Sequence, residues 1–474
     1  MTATDTANDA ADATPAARVI PFIVGCALFM QMLDATVIAT ALPAMAASLA
    51  TTPVRLNVAI TSYLLAVAVF VPISGWAADR YGARRVFVLA IWLFMAASLA
   101  CALSFNLVQL LLARVAQGVA GAMMVPVGRI MLLRIVPKRD LLRAMTLLSM
   151  PALIGPIIGP PLGGLLVTYA SWHWVFLINL PIGVLGIVMV RRYIGEFRDA
   201  AAPKLDWTGF LLSALCLALL VVSFEAIGHQ SLPLAVIAAL TGAGVVCAFA
   251  YRWHARRHPH PILDLKLMSI RTFAVSVLGG NLCRFAVGGV PFLLVMLLQV
   301  GFGMTPLAAG LITFASAAGA LLMKFVARPI LSRLSFRRVL SVNAVLTGLF
   351  VIACVLFTPA TPAWVMIAIL LAGGFCRSLQ FTALNTLTFA DIAPAQMSCA
   401  SSFSAMAQQL GISLGVAVAA TTLHLSMTVR GAATLESADV LAGFVVIGAL
   451  CMASALSFRR LRADDGGQLR PGRQ

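Results

Sequence analysis

The sequence predicts an all-α polytopic membrane protein with 14 transmembrane helices, arranged as two six-helix bundles plus two extra helices. Three observations carry this. Of 474 residues, 61% are apolar and 10% charged, a balance foreign to soluble globular domains. The apolar residues gather into fourteen runs of about the 20 residues that a spanning helix needs: 19–42, 57–78, 86–105, 107–133, 142–169, 174–192, 207–227, 232–252, 272–298, 305–327, 338–358, 362–389, 400–424 and 438–458. Finally, the charged stretch Asp79-Arg-Tyr-Gly-Ala-Arg-Arg-Val86 aligns without gaps to Ser332-Arg-Leu-Ser-Phe-Arg-Arg-Val339. Each copy lies between two long apolar runs, as it would in two related bundles.

Taken in order, residues 1–18 form a cytoplasmic tail rich in Ala, Asp and Thr. The apolar run after them is too long for a signal-peptide core, so it is read as a retained first span. Residues 19–193 make the first bundle, spans 1–6, closed by the basic run Arg191-Arg192…Lys204. Residues 205–253 hold two inserted helices, spans 7 and 8. Residues 270–458 make the second bundle, spans 9–14, and 459–474 a second cytoplasmic tail. A plain duplication would set the repeated loop between spans 8 and 9. It stands between spans 10 and 11, the offset that an insertion of two helices produces.

The formal net charge of +17 raises a nucleic-acid reading, which its distribution rejects. Of 33 Lys and Arg, Arg55 and Arg430 fall on odd-numbered connections, and Arg114, Arg129, Arg284 and Arg377 within spans. The remaining 27 lie on even-numbered connections, the tails or the adjoining span ends. This is the positive-inside bias, which assigns those loops and both termini to the cytoplasm. Nine cysteines, with no CxxC and all but Cys399 inside spans, behave as small apolar residues and predict no disulfide framework.

The loop Gly75-Trp-Ala-Ala-Asp79-Arg80-Tyr-Gly82-Ala-Arg84-Arg85 resembles the signature between the second and third helices of the major facilitator superfamily. Four further stretches are similar to its fourteen-span drug:proton antiporters, of the EmrB/QacA kind. They are Leu33-Asp34-Ala-Thr-Val-Ile-Ala-Thr-Ala-Leu-Pro43, Arg114-Val-Ala-Gln117-Gly118, Gly155-Pro156-Ile-Ile-Gly159-Pro-Pro-Leu-Gly163-Gly164 and Trp172-His-Trp174-Val-Phe-Leu-Ile-Asn179-Leu-Pro181. The resemblance covers nearly the whole chain. It implies the major facilitator fold, working by alternating access as two bundles rock about a central cavity. It further implies a multidrug efflux antiporter of the bacterial cytoplasmic (inner) membrane, driven by the proton gradient with no cofactor. Its partners would be a small-molecule substrate, protons and lipid; a monomer is expected, with an accessory efflux partner left open.

Asp34 is the one acid that the sequence sets deep in a span; Glu225 falls at the outer end of span 7. An intramembrane carboxylate is costly unless paired, protonated or wetted. Counting inward from the outer ends of antiparallel spans 1 and 4, Asp34 and Arg114 both lie roughly 10–12 Å deep, so they meet if those spans are neighbours, as the family fold has them. Burial favours the protonated acid and a nearby guanidinium the carboxylate, so motion between the two changes proton affinity. A fixed ion pair is the alternative. Gln117, Gly118 and Gly121 share the Arg114 face at i+3, i+4 and i+7.

By the resemblance, Gly75, Asp79, Arg80, Gly82, Arg84 and Arg85 with Arg129 form a cytoplasmic gate, Arg129 being the candidate partner of Asp79; topology determination alone is the alternative. Gly155, Pro156, Gly159, Gly163 and Gly164 give an antiporter helix that either packs as a kinked helix or flexes and seals against the other bundle. Gln31, Gln117, Asn281, Arg284, Arg377 and Gln380 are substrate-cavity candidates. Arg284 and Arg377 lack an obvious acid, so they either bond backbone and interface or meet an anionic substrate.

Other classes find no support. Lys138, Lys204, Lys266 and Lys324 each lack the preceding Gly of a phosphate loop. No nucleophile, base and orienting acid group together, so an enzyme is not expected. His254, His258 and His260 stand among arginines with no Cys or carboxylate to complete a set, so no metal is assigned. Efflux of an organic anion, metabolite or metal chelate is the second reading; a non-transporting receptor or passive pathway is the rival from another class.

Overall fold

In the computed structural model each of the fourteen apolar runs is helical over most of its described residues, and the described residues contain no strand. The structure describes residues 15–51, 56, 58–137, 140–196, 204–229, 232–304, 306–431, 437–462 and 464–467. Among them, twelve helices are long and apolar enough to cross a bilayer, and one bent pair makes a thirteenth. The remaining run forms the 29-residue helix Leu141–Tyr169.

The first unit comprises Met1–Leu205 and Pro394–Ser402. It holds α1 (Pro15–Ser48), α2 (Val58–Phe70), α3 (Ile73–Tyr81), α4 (Ala83–Ala102), α5 (Leu107–Ile135), α6 (Leu141–Tyr169), α7 (Trp174–Leu177) and α8 (Asn179–Tyr193). The second unit comprises Asp206–Ala393 and Phe403–Gln474. It holds α9 (Trp207–His229), α10 (Leu234–Arg257), α11 (Arg271–Val295), α12 (Pro306–Arg333), α13 (Phe336–Ala353), α14 (Ala363–Leu387) and α16 (Ser437–Phe458). Helix α15 (Met397–Arg430) begins in the first unit and runs on into the second. The two inserted helices, α9 and α10, are grouped with the second unit.

The sequence explains these helices through their solvent. Leu89, Leu112, Phe249, Phe325 and Trp364 point outward and are largely exposed. In water such a surface would aggregate; in lipid it is the natural exterior, and a helix satisfies its backbone without water. The inner faces of the first unit bring Leu33, Val37, Ala59, Leu110 and Phe176 into one core. In the second unit Leu293, Leu297, Met366, Val440 and Phe444 do the same.

One expected span is broken. The run 57–78 divides at Val71-Pro72, where the two pieces bend by 59°. Proline lacks the N–H that would continue the ladder and crowds the turn before it. Pro126 and Pro291 instead lie inside α5 and α11, as membrane helices tolerate. After α11 the chain makes a π-helical turn, Met296–Gly301.

The two copies of the charged loop occupy equivalent positions but turn differently. Gly82 precedes α4 with φ +95° and ψ 128°, a conformation open in practice only to glycine. Ser335 precedes α13 with φ −71°, and its hydroxyl accepts from the Arg338 N–H at 3.3 Å, an ordinary N-cap. A Cβ on Gly82 would also overlap the Glu196 carboxylate. Gly82→Ala is therefore expected to cost about 1–3 kcal/mol and to lower the melting temperature of the detergent-solubilised protein. Gly186→Ala, whose Cβ would meet only Ile91 Cδ1 at 3.8 Å, should leave it nearly unchanged.

Candidate functional site

Asp34 on α1 is 1% exposed. A carboxylate stripped of water needs donors in return. Arg114 of α5 gives the first, Nη1 to Oδ2 at 2.6 Å, with both side chains fully buried. Gln117, one turn along α5, donates Nε2 to Oδ1 at 2.8 Å. Asn179, at the start of α8, donates Nδ2 to the same oxygen at 3.1 Å. Ser98 of α4 accepts from both amides, at 2.9 and 3.2 Å.

The arginine is held as firmly as the acid. Its Nε donates to the Ala59 carbonyl of α2 at 3.2 Å, and Nη1 also donates to Gln117 Oε1 at 2.5 Å. The guanidinium carbon lies 4.4 Å from the Tyr63 ring centroid, within cation–π range. Five helices thus converge on one ion pair. The expected contact between Asp34 and Arg114 forms, and Gln117 joins it. Sequence reasoning missed Ser98, Tyr63 and Asn179 as parts of the site. Neutral polar residues inside apolar runs carry little signal, although Asn179 stood in a recognised stretch.

Small residues let these helices close. A Cβ on Gly118 would meet the Tyr63 carbonyl oxygen at 2.5 Å and Ala66 Cβ at 2.6 Å. One on Gly121 would meet the Tyr63 hydroxyl at 2.9 Å and Gln31 Nε2 at 3.0 Å, which places buried Gln31 beside α5. On α6, a Cβ on Gly155 would meet Leu33 N and Met32 Cβ, both at 3.0 Å, and one on Gly159 would overlap Thr36. Those two glycines pack α6 against α1 on either side of Asp34, within the first unit. Gly163 is buried, Gly164 has open space, and the Pro156 side chain lies outside the described residues.

At the end of α3, Asp79 Oδ1 accepts from Arg134 Nη2 and from Ser398 Oγ, each at 2.6 Å. This corrects the expected partner. Arg129 lies on the same helix but about 7.5 Å short of Arg134 along its axis, and is 8% exposed; the ion pair belongs to Arg134. Gly75 N donates to Ser402 Oγ at 2.9 Å, and Ser74 Oγ stands 3.0 Å from the same hydroxyl. A Cβ on Gly75 would lie 2.6 Å from the Ser398 carbonyl oxygen, so the glycine is required for this approach. Arg84 donates to the Arg191 carbonyl at 2.8 Å in the last turn of α8, where a cation is favoured. Arg85 pairs with Glu196 at 3.3 Å, and Arg80 is exposed.

In the second unit, Arg284 of α11 is 2% exposed and donates to Asn281 Oδ1 at 3.3 Å. Arg377 of α14 donates to Ser316 Oγ at 2.8 Å. Gln380 is tied into local bonds, accepting from Asn343 Nδ2 at 3.0 Å and donating to the Leu340 carbonyl at 3.2 Å. Sequence reasoning counted Lys324 among span ends. The structure buries it within α12 at 6% exposure, with Nζ donating to Thr382 Oγ1 at 2.7 Å. A second buried acid also emerges: Asp439, in the first turn of α16, pairs with Arg430.

The histidine reading needs a correction as well. A carboxylate does reach the cluster: Asp206, 48 positions before His254, lies 2.8 Å from its Nε2.

Comparison with known proteins agrees with this architecture. A sequence model of the Major Facilitator Superfamily matches residues 24–416 and 276–474. A relative in Cronobacter sakazakii (strain ATCC BAA-894), named "Putative multidrug resistance protein MdtD", is 39% identical over 398 residues, 84% of each chain. Its namesake in Escherichia coli (strain SMS-3-5 / SECEC) is 40% identical over 406 residues, covering 85% of this chain and 86% of that one. Among solved structures, the human organic anion transporter MFSD10 (TETRAN) superposes with TM-score 0.69 at 16% identity, over 94% of this chain and 100% of that one. The proton:xylose symporter XylE does so with TM-score 0.66 at 12% identity, over 95% and 97%. With helices, motifs and relatives in agreement, the chain belongs to the major facilitator superfamily.

Proposed function

We propose that this transporter exports drugs or other amphipathic small molecules from the cytoplasm by alternating access, in exchange for protons, with Asp34 as the proton site and Arg114 its modulator. One observation carries the reading: a fully buried carboxylate whose ion-pair partner has other contacts to fall back on. Protonating Oδ2 removes the charge that holds Arg114. The guanidinium keeps the Ala59 carbonyl and the Tyr63 face, so the pair can loosen without stranding a cation in the membrane. Gln117 and Asn179 hold the carboxyl group through its other oxygen. The names of the MdtD relatives support a drug substrate. The protein would sit in a bacterial cytoplasmic membrane with both termini inside, as its charge distribution favours. It would act as a monomer with no cofactor.

In the same reading the Asp79–Arg134–Ser398 contact gates the cytoplasmic side. The pair is partly exposed, so its own worth is on the order of 1 kcal/mol.

A second reading, export of an organic anion, draws support from the buried cations. Lys324 and Arg377 bond to hydroxyl groups, which leaves their charge to be balanced by other means. An anionic substrate would do so.

Proton release tests the main reading in inverted vesicles with an acid interior, followed by a pH-sensitive dye as substrates are added. The wild type should release protons on adding substrate, and Asp34→Asn, at equal expression, should not; persistence in the variant would remove Asp34 from coupling. Asp79→Asn should slow release severalfold, while Asp79→Arg combined with Arg134→Asp should recover part of the loss. If the substrate is an anion, Lys324→Gln should weaken its response by about tenfold, the worth of one charged hydrogen bond, and leave lipophilic cations unaffected.

A further inference from the structure

We propose that Asp206, His254 and His258 form a binding site for a first-row divalent transition metal such as Zn²⁺, clamping the amino end of α9 to the carboxyl end of α10. His254 lies in the last turn of α10, and His258 caps that helix four residues on, its backbone N–H donating to the His254 carbonyl. Asp206 immediately precedes α9 and is 5% exposed. The ligand atoms of all three residues lie within 4.8 Å of one another. Imidazole nitrogen and carboxylate oxygen are the donors that such metals take, at about 2.0–2.2 Å.

A second observation points to a cation here. Asp206 Oδ1 is fully used, accepting from the Gly209 N–H and lying against His254 Nε2, each at 2.8 Å. Oδ2 is buried without a hydrogen-bond partner, and a buried acceptor left unpaired is costly. A metal ion bound by the carboxylate would relieve that cost. It would replace the proton shared between His254 and Asp206, while His258 turns a short distance to join them. The His254 and His258 rings already stack, with centroids 5.2 Å apart.

The surroundings hold the donors in place. Tyr251 Oη donates to the Leu263 carbonyl and accepts from the Leu263 N–H, both at 2.8 Å, pinning the loop that follows α10. The neighbouring arginines do not fill the site. Arg252, Arg256 and Arg257 are exposed, where solvent and salt screen them, and the Arg257 guanidinium lies over the Trp253 ring at 3.8 Å. With three protein ligands, a fourth position would remain for water.

The test uses the full-length protein in detergent, purified through a tag free of histidine. Titration with Co²⁺ alone, read by its visible ligand-field absorption, should show one equivalent bound and displaced by Zn²⁺. His254→Ala and His258→Ala should each weaken binding by more than about tenfold, the loss that even an outer-shell partner of a ligand carries; His424→Ala should not. Zn²⁺ should raise the melting temperature of the wild type but not of His258→Ala, whose partly exposed side chain can be removed without disturbing the core. Absence of a band at stoichiometric metal would overturn the proposal. So would a band, or a Zn²⁺-dependent rise in melting temperature, that persists in both histidine variants.

Discussion

The bond from Arg114 to Asp34 joins α5 to α1 at 2.6 Å, with no solvent-exposed surface on either side chain. Two opposite charges in such a place gain from each other only when further hydrogen bonds support them. That requirement recruits α2 through Ala59 and Tyr63, α4 through Ser98, and α8 through Asn179. The glycines follow from the same demand. Gly118 and Gly121 bring α2 and Gln31 against α5, and Gly155 and Gly159 bring α6 against α1. The packing of the first unit is thus built around one ion pair, and a change in its protonation reaches several helices at once.

The two units treat buried charge differently. In the first, Asp34 and Asp79 each receive an arginine together with neutral donors. In the second, Lys324 and Arg377 rest on hydroxyls, while two buried acids lie at helix ends, Asp439 paired with Arg430 and Asp206 beside His254. Hydroxyls satisfy hydrogen bonds without cancelling charge, so the span interior of the second unit keeps a positive character.

Much of this could be read from the residues, and the misses have physical causes. Lipid forces the backbone into helix, so apolar run length located every long α-helix among the described residues. Pro72 was visible, yet whether it would bend or break its span depends on packing. The depth of Asp34 and Arg114 followed from antiparallel spans at 1.5 Å per residue, and the contact formed. The partner of Asp79 was misplaced by about a turn and a half of α5, because sequence gives the helix but not the height at which α3 meets it. Ser98, Tyr63 and Asn179 are neutral and look like ordinary core. Lys324 sat near the end of its apolar run, but α12 continues to Arg333 and carries it inside. The Asp206–His254 contact joins distant positions through the return of α10 beside α9, a pairing that no local pattern reveals.

If substrate and proton compete through Asp34, binding one must expel the other. Proton release by the purified, detergent-solubilised protein in weakly buffered solution reads this directly, as a transported compound is added at a pH where the free carrier holds its proton. Release should saturate with substrate and be absent in Asp34→Asn, which should still bind the compound. Equal release from Asp34→Asn, or binding by the wild type without release at every pH tried, would contradict competition at this carboxylate.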